Sequence, residues 1–280
     1  MRAARSWVGL FLVCALAGPG WSDAAGAATN FASKRSAEPP IEAPRAELAP
    51  GEYLVYEVYW MGFHVGRGTL EVSGPHESGG QRVYRISAHA LTNDFLSKLY
   101  PVHDEIHAVV ESGTLHTLEF SKVLREGRYR ADERIVYDYA AMKGRYESRH
   151  NGSTKDFELP GRVRDLLATF YWFRTQAASP GQSLNTTINT EEKNWDAELK
   201  ILRRERKEWK GAGRAWDTLV VEPVTHLKGI LYDRGRAWVW FSADASRTPV
   251  WIQLKTPYGP VNGVLNLQES RLPGLTAGRD

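Results

Sequence analysis

The sequence predicts a mainly β protein: a single antiparallel sheet, curled or barrel-like in the manner of a lipocalin or a half-barrel, with two short helices. Three observations predict it. Apolar and polar residues alternate with period two over most of the chain, which puts successive side chains on opposite faces of a strand. Turn residues separate roughly a dozen such runs, too many for an open flat sheet, and only two segments show helical spacing, too few for a parallel α/β fold. Ten Trp, 12 Tyr and 9 Phe among 280 residues suit a β-rich body.

Taken in order, residues 1–27 read as a secretory signal. Arg2 and Arg5 form its basic start, 7–17 its apolar stretch and Ala25-Gly26-Ala27 its cleavage site. An apolar stretch of ~11 residues falls short of the ~20 needed to cross a bilayer, and Gly18-Pro19-Gly20 breaks it. Cys14, the sole cysteine, leaves with the signal, which removes disulfides, cysteine metal sites and cysteine nucleophiles from the mature chain. No apolar run of about 18 residues follows, so the mature chain is expected to carry no transmembrane segment. Residues 28–50, rich in Ala, Pro, Glu, Ser and Arg, read as a flexible leader.

The folded domain is placed at 51–270, with 271–280 as a tail. Tyr53, Val55, Glu57 and Tyr59 alternate with Leu54, Tyr56, Val58 and Trp60, and Gly62, Gly66 and Gly68 permit a tight return into 69–72. Further strands are expected at 82–90, 103–111, 115–124, 129–139 and 143–149. After them come 183–189, 195–209, 216–223, 237–241, 249–255 and 263–268, with Lys210-Gly211-Ala212-Gly213 as the turn of a long hairpin. The two helices are 92–100, with Thr92 or Asn93 as N-cap and Pro101 as stop, and 163–176. The second has an apolar stripe of Leu166, Leu167, Phe170, Tyr171 and Phe173, with Asp165 in its first turn and Arg174 in its last.

Charge and motif limit the chemistry. Lys and Arg number 36 against 33 Asp and Glu, a net +3 without a concentrated basic patch, so no nucleic-acid partner is expected. The cluster His103-Asp104-Glu105-Ile106-His107 lies on a predicted strand, where the two His would stand ~13 Å apart, too far to share a zinc ion. Asp104 then faces the other side, suited to a hydrogen bond with backbone or an Arg. Nucleophile and phosphate-loop signatures are absent, and the adjacent carboxylates Glu191 and Glu192, or Asp132 and Glu133, point to opposite faces of their strands. No catalytic residue, metal site or cofactor is therefore assigned. The basic run with Arg203, Arg204, Arg206 and Lys207 is interleaved with Glu205 and Glu208 and reads as a solvated hairpin with cross-strand charge pairing.

Five separated segments together resemble the bacterial exported family known as domain of unknown function 3108. They are Gly51-Glu52-Tyr53-Leu54-Val55-Tyr56 with Gly62 and Gly66, then Leu99-Tyr100-Pro101-Val102-His103-Asp104, then 120–129 with its Arg-Glu-Gly core. Asp165-Leu166-Leu167 with Tyr171 and Arg174 is the fourth. Trp240-Phe241-Ser242-Ala243-Asp244 with Arg247-Thr248-Pro249-Val250 is the fifth. The likeness runs from about residue 51 to 267. It implies a β-rich envelope protein of a Gram-negative bacterium, in the periplasm or associated with the outer membrane, and carries over no site residues.

Together these readings lead to a non-enzymatic cell-envelope protein that binds an apolar or amphipathic ligand such as a lipid. The candidate binding residues are Phe95, Leu96 and Leu99 on the first helix, Phe170, Tyr171 and Phe173 on the second, and Trp238 and Trp240 on a strand apolar on both faces. Two other readings stay open: an envelope assembly protein with a solid core, and an enzyme acting on envelope glycan. No particular protein partner follows from the sequence.

Overall fold

The structure is a computed structural model that describes residues 41–190, 192–208, 215–225 and 236–273. The predicted signal at 1–27, most of the predicted leader, Glu191, the predicted turn at 210–213 and the end of the tail lie outside the described residues.

Fourteen strands form one antiparallel sheet. In chain order they are β1 (Tyr53–Trp60), β2 (Phe63–Ser78), β3 (Gln81–Thr92), β4 (His103–Glu111), β5 (Thr117–Glu126), β6 (Tyr129–Asp138), β7 (Lys143–Ser148) and β8 (Thr154–Glu158), followed by β9 (Ser183–Thr190), β10 (Lys193–Glu208), β11 (Ala215–Thr225), β12 (Arg236–Ser242), β13 (Pro249–Thr256) and β14 (Gly259–Leu265). Each strand pairs with its sequence neighbours, except at the centre, where β1 pairs with β14, and at the edges, β8 and β9. The expected curled sheet is therefore what forms, and its ladder does not close.

Short polar links span the open seam. Val163 to Asp165 run between β5 and β9: Thr117 donates its N–H to the Val163 carbonyl, Arg164 to that of Thr187, and Asn189 to that of Arg164. The Tyr137 hydroxyl donates to Asn189 at 2.9 Å, and Lys155 reaches Glu192 at 2.9 Å. The Arg164 backbone thereby satisfies groups on the β9 edge that would otherwise be free.

β8 was not anticipated, because Thr-Lys-Asp-Phe-Glu carries a single apolar residue; it is an edge strand with little to bury. β14 begins at Gly259 rather than 263, since the turn out of β13 is short enough for Thr256 to pair with Gly259. Met61 and Gly62, with φ of 50° and 90°, close the β1–β2 hairpin as a two-residue turn with Trp60 opposite Phe63. A Cβ at Gly66 would sit 2.1 Å from the Leu91 carbonyl oxygen, so the predicted glycine pair serves close strand approach as well as the turn.

Both helices are shorter than their apolar spacing predicts. The first, α1 (Asp94–Ser97), is a single turn whose N-cap Asn93 accepts the Leu96 N–H at 2.9 Å; irregular turns carry the chain on to Pro101. The second, α2 (Leu166–Phe173), starts after Asp165, which is its N-cap rather than a first-turn residue and accepts the Ala168 N–H at 3.0 Å. The α2 helix lies inside the curl, with Leu167, Ala168, Tyr171 and Phe173 in the main core and the Phe173 ring 4.5 Å from that of Phe241.

Two expectations about the ends need correction. Within the leader, residues 41–50 lie on the body: Leu48 is buried, Glu42 and Arg45 donate N–H bonds to Ala243 and Ala245, and Arg247 returns a bond to the Glu42 carbonyl. The tail likewise starts as structure, because Arg271 and Tyr53 exchange both backbone hydrogen bonds. Ile41 and Leu48 give this leader enough apolar surface to dock, which its overall composition hides.

Candidate functional site

The predicted ligand-binding residues fall into three separate places. Tyr171 and Phe173 are fully buried and, with half-buried Phe170, meet Phe241 on the inner face of β12. Trp238 and Trp240 alternate with Phe241 and so face outward, away from α2. There the Lys207 ammonium lies 4.3 Å from the Trp240 ring centre and 4.2 Å from that of Trp251, and the indole N–H of Trp240 donates to Glu205. Both faces of β12 are covered, as its sequence implies, but by the protein's own side chains. Leu96 packs on the core, while Phe95 on the same helix and Leu99 just beyond it remain 75% and 74% exposed.

Those last two belong to a larger feature. Among the described residues, large exposed apolar side chains gather at the α1 end of the sheet: Trp60, Met61 and Phe63 at the β1–β2 turn, Leu91, Phe95 and Leu99 around α1, Tyr129 after β5 and Tyr258 before β14. Only Val136, Met142 and Leu202 lie elsewhere. Backbone contacts tie these turns into one rim. The Trp60 indole donates to the Tyr258 carbonyl at 3.0 Å, Met61 donates to Pro260, Asn93 donates to Val65 and through its side chain to His64, and Gly127 donates to Pro101. Apolar residues at turn tips were the signal in the sequence that pointed here, and it was overlooked because the alternation was read only within strands.

The rim is also basic. Its turns carry Lys98, Arg125, Arg128 and Arg130, and none of these forms an ion pair among the described residues. Arg125 and Arg130 stand directly opposite each other on β5 and β6, an arrangement that like charges disfavour. Acidic side chains on the same turns are Asp94 and the buried Glu126.

Beneath the rim, two family-like segments meet. Val102 bridges to Glu126, and the Asp104 and Glu126 carboxyls are buried beside each other. The Arg125 N–H donates to Asp104 at 3.0 Å, the backbone role its position suggested. Burial, reinforced by Glu126, pushes the Asp104 carboxyl up to about 8, so Asp104 holds its proton at neutral pH. The neighbouring Tyr100 ring covers Gly127, where a Cβ would come within 2.7 Å of it.

The opposite end is polar and closed. The Arg174 guanidinium makes two 2.6 Å bonds to the Glu52 carboxylate, both residues being buried, and stacks 4.9 Å from the Tyr171 ring centre. Tyr56 donates to the Pro249 carbonyl at 2.7 Å. A cavity of about 250 Å³ lies nearby, lined by Glu47, Thr114, His116, Arg164, Trp172 and Gln176 among others. Burial, with Arg164 and Arg162 beside it, lowers His116 to about 4, so this imidazole is neutral. The polar lining makes the cavity unsuitable for an acyl chain.

The remaining sequence candidates are engaged locally. His103 faces Glu105 at 3.3 Å, His107 bonds Ser87 at 2.9 Å, and no group of three metal-ligating side chains occurs among the described residues. Glu133 pairs with Lys122 at 2.9 Å. In the basic run, Arg203 pairs with Glu205 along β10 and the mostly buried Arg204 with Asp217 across the hairpin, while Lys207 lies on the Trp240 and Trp251 rings, so the run is only in part the solvated, cross-strand-paired face that was expected. No described helix is long and apolar enough to cross a membrane.

A wound, unclosed antiparallel sheet holding an internal helix defines a β-barrel-like protein. The chain belongs to the family described as Protein of unknown function (DUF3108), whose profile matches residues 55–266. Its fold is similar to that of a "Beta-barrel-like Protein of Domain of Unknown Function DUF1849 from Brucella abortus", with a TM-score of 0.52 and 8% identity over 78% of this chain and 97% of that one. At that identity the likeness concerns fold alone. No curated protein matches the chain.

Proposed function

We propose that this is an exported, non-enzymatic cell-envelope protein that binds an amphipathic envelope component through the α1 rim. The observation that carries the reading is the concentration of exposed apolar side chains there: Phe63, Phe95 and Leu99 are each at least 74% exposed. Contiguous exposed apolar surface in a folded domain is characteristic of a contact site. Among the described residues, the predicted inner residues Tyr171 and Phe173 are buried, with the Phe173 ring packed on Phe241 beside α2. Titration with a fluorescent fatty acid, together with native mass spectrometry after gentle purification, tests the reading. Saturable probe binding that weakens in the Phe95→Ser/Leu99→Ser variant is expected. A wild-type protein that carries no extractable lipid and gives no probe response overturns it.

A second reading, an envelope assembly protein with a solid core, draws on the same filled interior. Co-purification of a specific protein with no extractable lipid would favour it.

A further inference from the structure

We infer that the α1 rim seats the protein on the surface of an anionic lipid bilayer, with its apolar tips in the interface and its basic residues against headgroups. This rests on the rim being the binding site and names its partner. Three features of the rim select a surface over a single enclosed ligand.

The apolar side chains first of all occupy turn tips rather than the walls of a cleft. Met61, Phe63, Phe95, Leu99 and Tyr258 come from three separate connections held at one end of the sheet, and none of them lines the described cavity. Protruding tips suit a broad partner into which each can insert a few ångströms, as interfacial segments do.

Backbone conformation gives the second feature. Met61 adopts φ of 50°, a left-handed geometry that Gly or Asn meets at less cost, yet the position carries a long apolar side chain that is 57% exposed. Its side chain lies over Gly259 on the neighbouring turn, where a Cβ would come within 2.6 Å of it, and still leaves more than half of its surface exposed. Trp60 and Tyr258 beside it are aromatic residues with polar handles, the type enriched where apolar and aqueous phases meet.

Charge supplies the third and decides the partner. Lys98, just after α1, and Arg125, Arg128 and Arg130 at the β5–β6 turn form no ion pair among the described residues; Arg130 bonds the Gly127 and Tyr129 carbonyls and stands directly opposite Arg125. An anionic surface would relieve that repulsion. Each Lys or Arg brought to such a surface strengthens binding roughly fivefold, whereas a neutral surface offers these residues nothing.

The test is vesicle flotation with protein purified as it is processed on export, comparing phosphatidylcholine vesicles with vesicles containing one-third phosphatidylglycerol. Binding is expected only to the anionic vesicles and should weaken as salt is raised. Arg128→Glu/Arg130→Glu should reduce it by at least about tenfold, and Phe95→Ser/Leu99→Ser should abolish it, both with unchanged unfolding midpoints. Wild-type protein that ignores anionic vesicles while still binding the fatty-acid probe overturns the inference and leaves the ligand reading standing; loss of both overturns both. Vesicle binding that persists in both folded variants also overturns it.

Discussion

The two ends of the curled sheet treat polar and apolar groups in opposite ways. At the α2 end, charged and hydroxyl groups turn inward: Glu52 and Arg174 pair in the core, Asp165 caps α2 and accepts the Thr117 hydroxyl at 2.6 Å, and Arg247 bonds the carbonyls of Ala243, Asp244 and Glu42. At the α1 end, apolar rings and unpaired cations turn outward. One end thus joins distant parts of the chain into a single body, and the other presents a surface that the body does not need. Stability and binding should therefore respond to different substitutions.

The largest effect should come from breaking the buried ion pair. Arg174→Met strands the Glu52 carboxylate without water or partner and should cost about 3–5 kcal/mol in urea unfolding. Replacing both members, Glu52→Leu with Arg174→Met, should recover most of that loss, because no charge is then left unpaired. If the single variant unfolds like wild type, the α2 end is not the stabilising one. Phe173→Ala comes next, at about 3 kcal/mol, because it removes the ring packed on Phe241 and leaves a cavity beside α2.

An effect that is smaller per unit of pH, and confined to a pH window, belongs to the carboxyl pair beneath the rim. The folded Asp104 titrates near 8 rather than near 4, so between those values the native state holds a proton that the unfolded chain has lost. Stability from this group is complete below about pH 4, declines as pH rises, and levels off above about 8. The slope is at most ~1.4 kcal/mol per pH unit for one proton. Asp104→Asn should match wild type at pH 4, exceed it at pH 8 and show a flatter profile between; an unchanged profile would mean that Asp104 does not hold its proton in this way.

The smallest stability change should occur at the rim itself. Phe95→Ser and Leu99→Ser alter side chains that are three-quarters exposed and should shift unfolding by no more than about 0.5 kcal/mol, while removing the fatty-acid response. A large destabilisation there would erase the contrast between the ends and make the rim part of the core.

Much of this body was legible in residue order. Strict alternation located nearly all the strands, Asn93 marked the start of the first helix, and Asp104 fell on the face of β4 opposite His103 and Glu105, where it takes the backbone hydrogen bond its position suggested. What stayed illegible were contacts between residues far apart. Glu52 and Arg174 lie 122 positions from each other, and neither has a local feature that announces the other. The candidate site was half visible: Phe95 and Leu99 were singled out, but as lining for an interior, because apolar residues at helical spacing ordinarily face a core.

The sequence by itself determined an antiparallel β body with two short helices, because the strand pleat sends neighbouring side chains to opposite faces and makes burial readable as period two. Only the tertiary structure decided that β1 and β14 would pair at the centre of the sheet, that the curl would remain open at β8 and β9, and that the tips at 61–63, 95–99 and 258 would share one rim. Those outcomes depend on how far the sheet twists and on which turns its register brings side by side, and no short stretch of residues specifies either one.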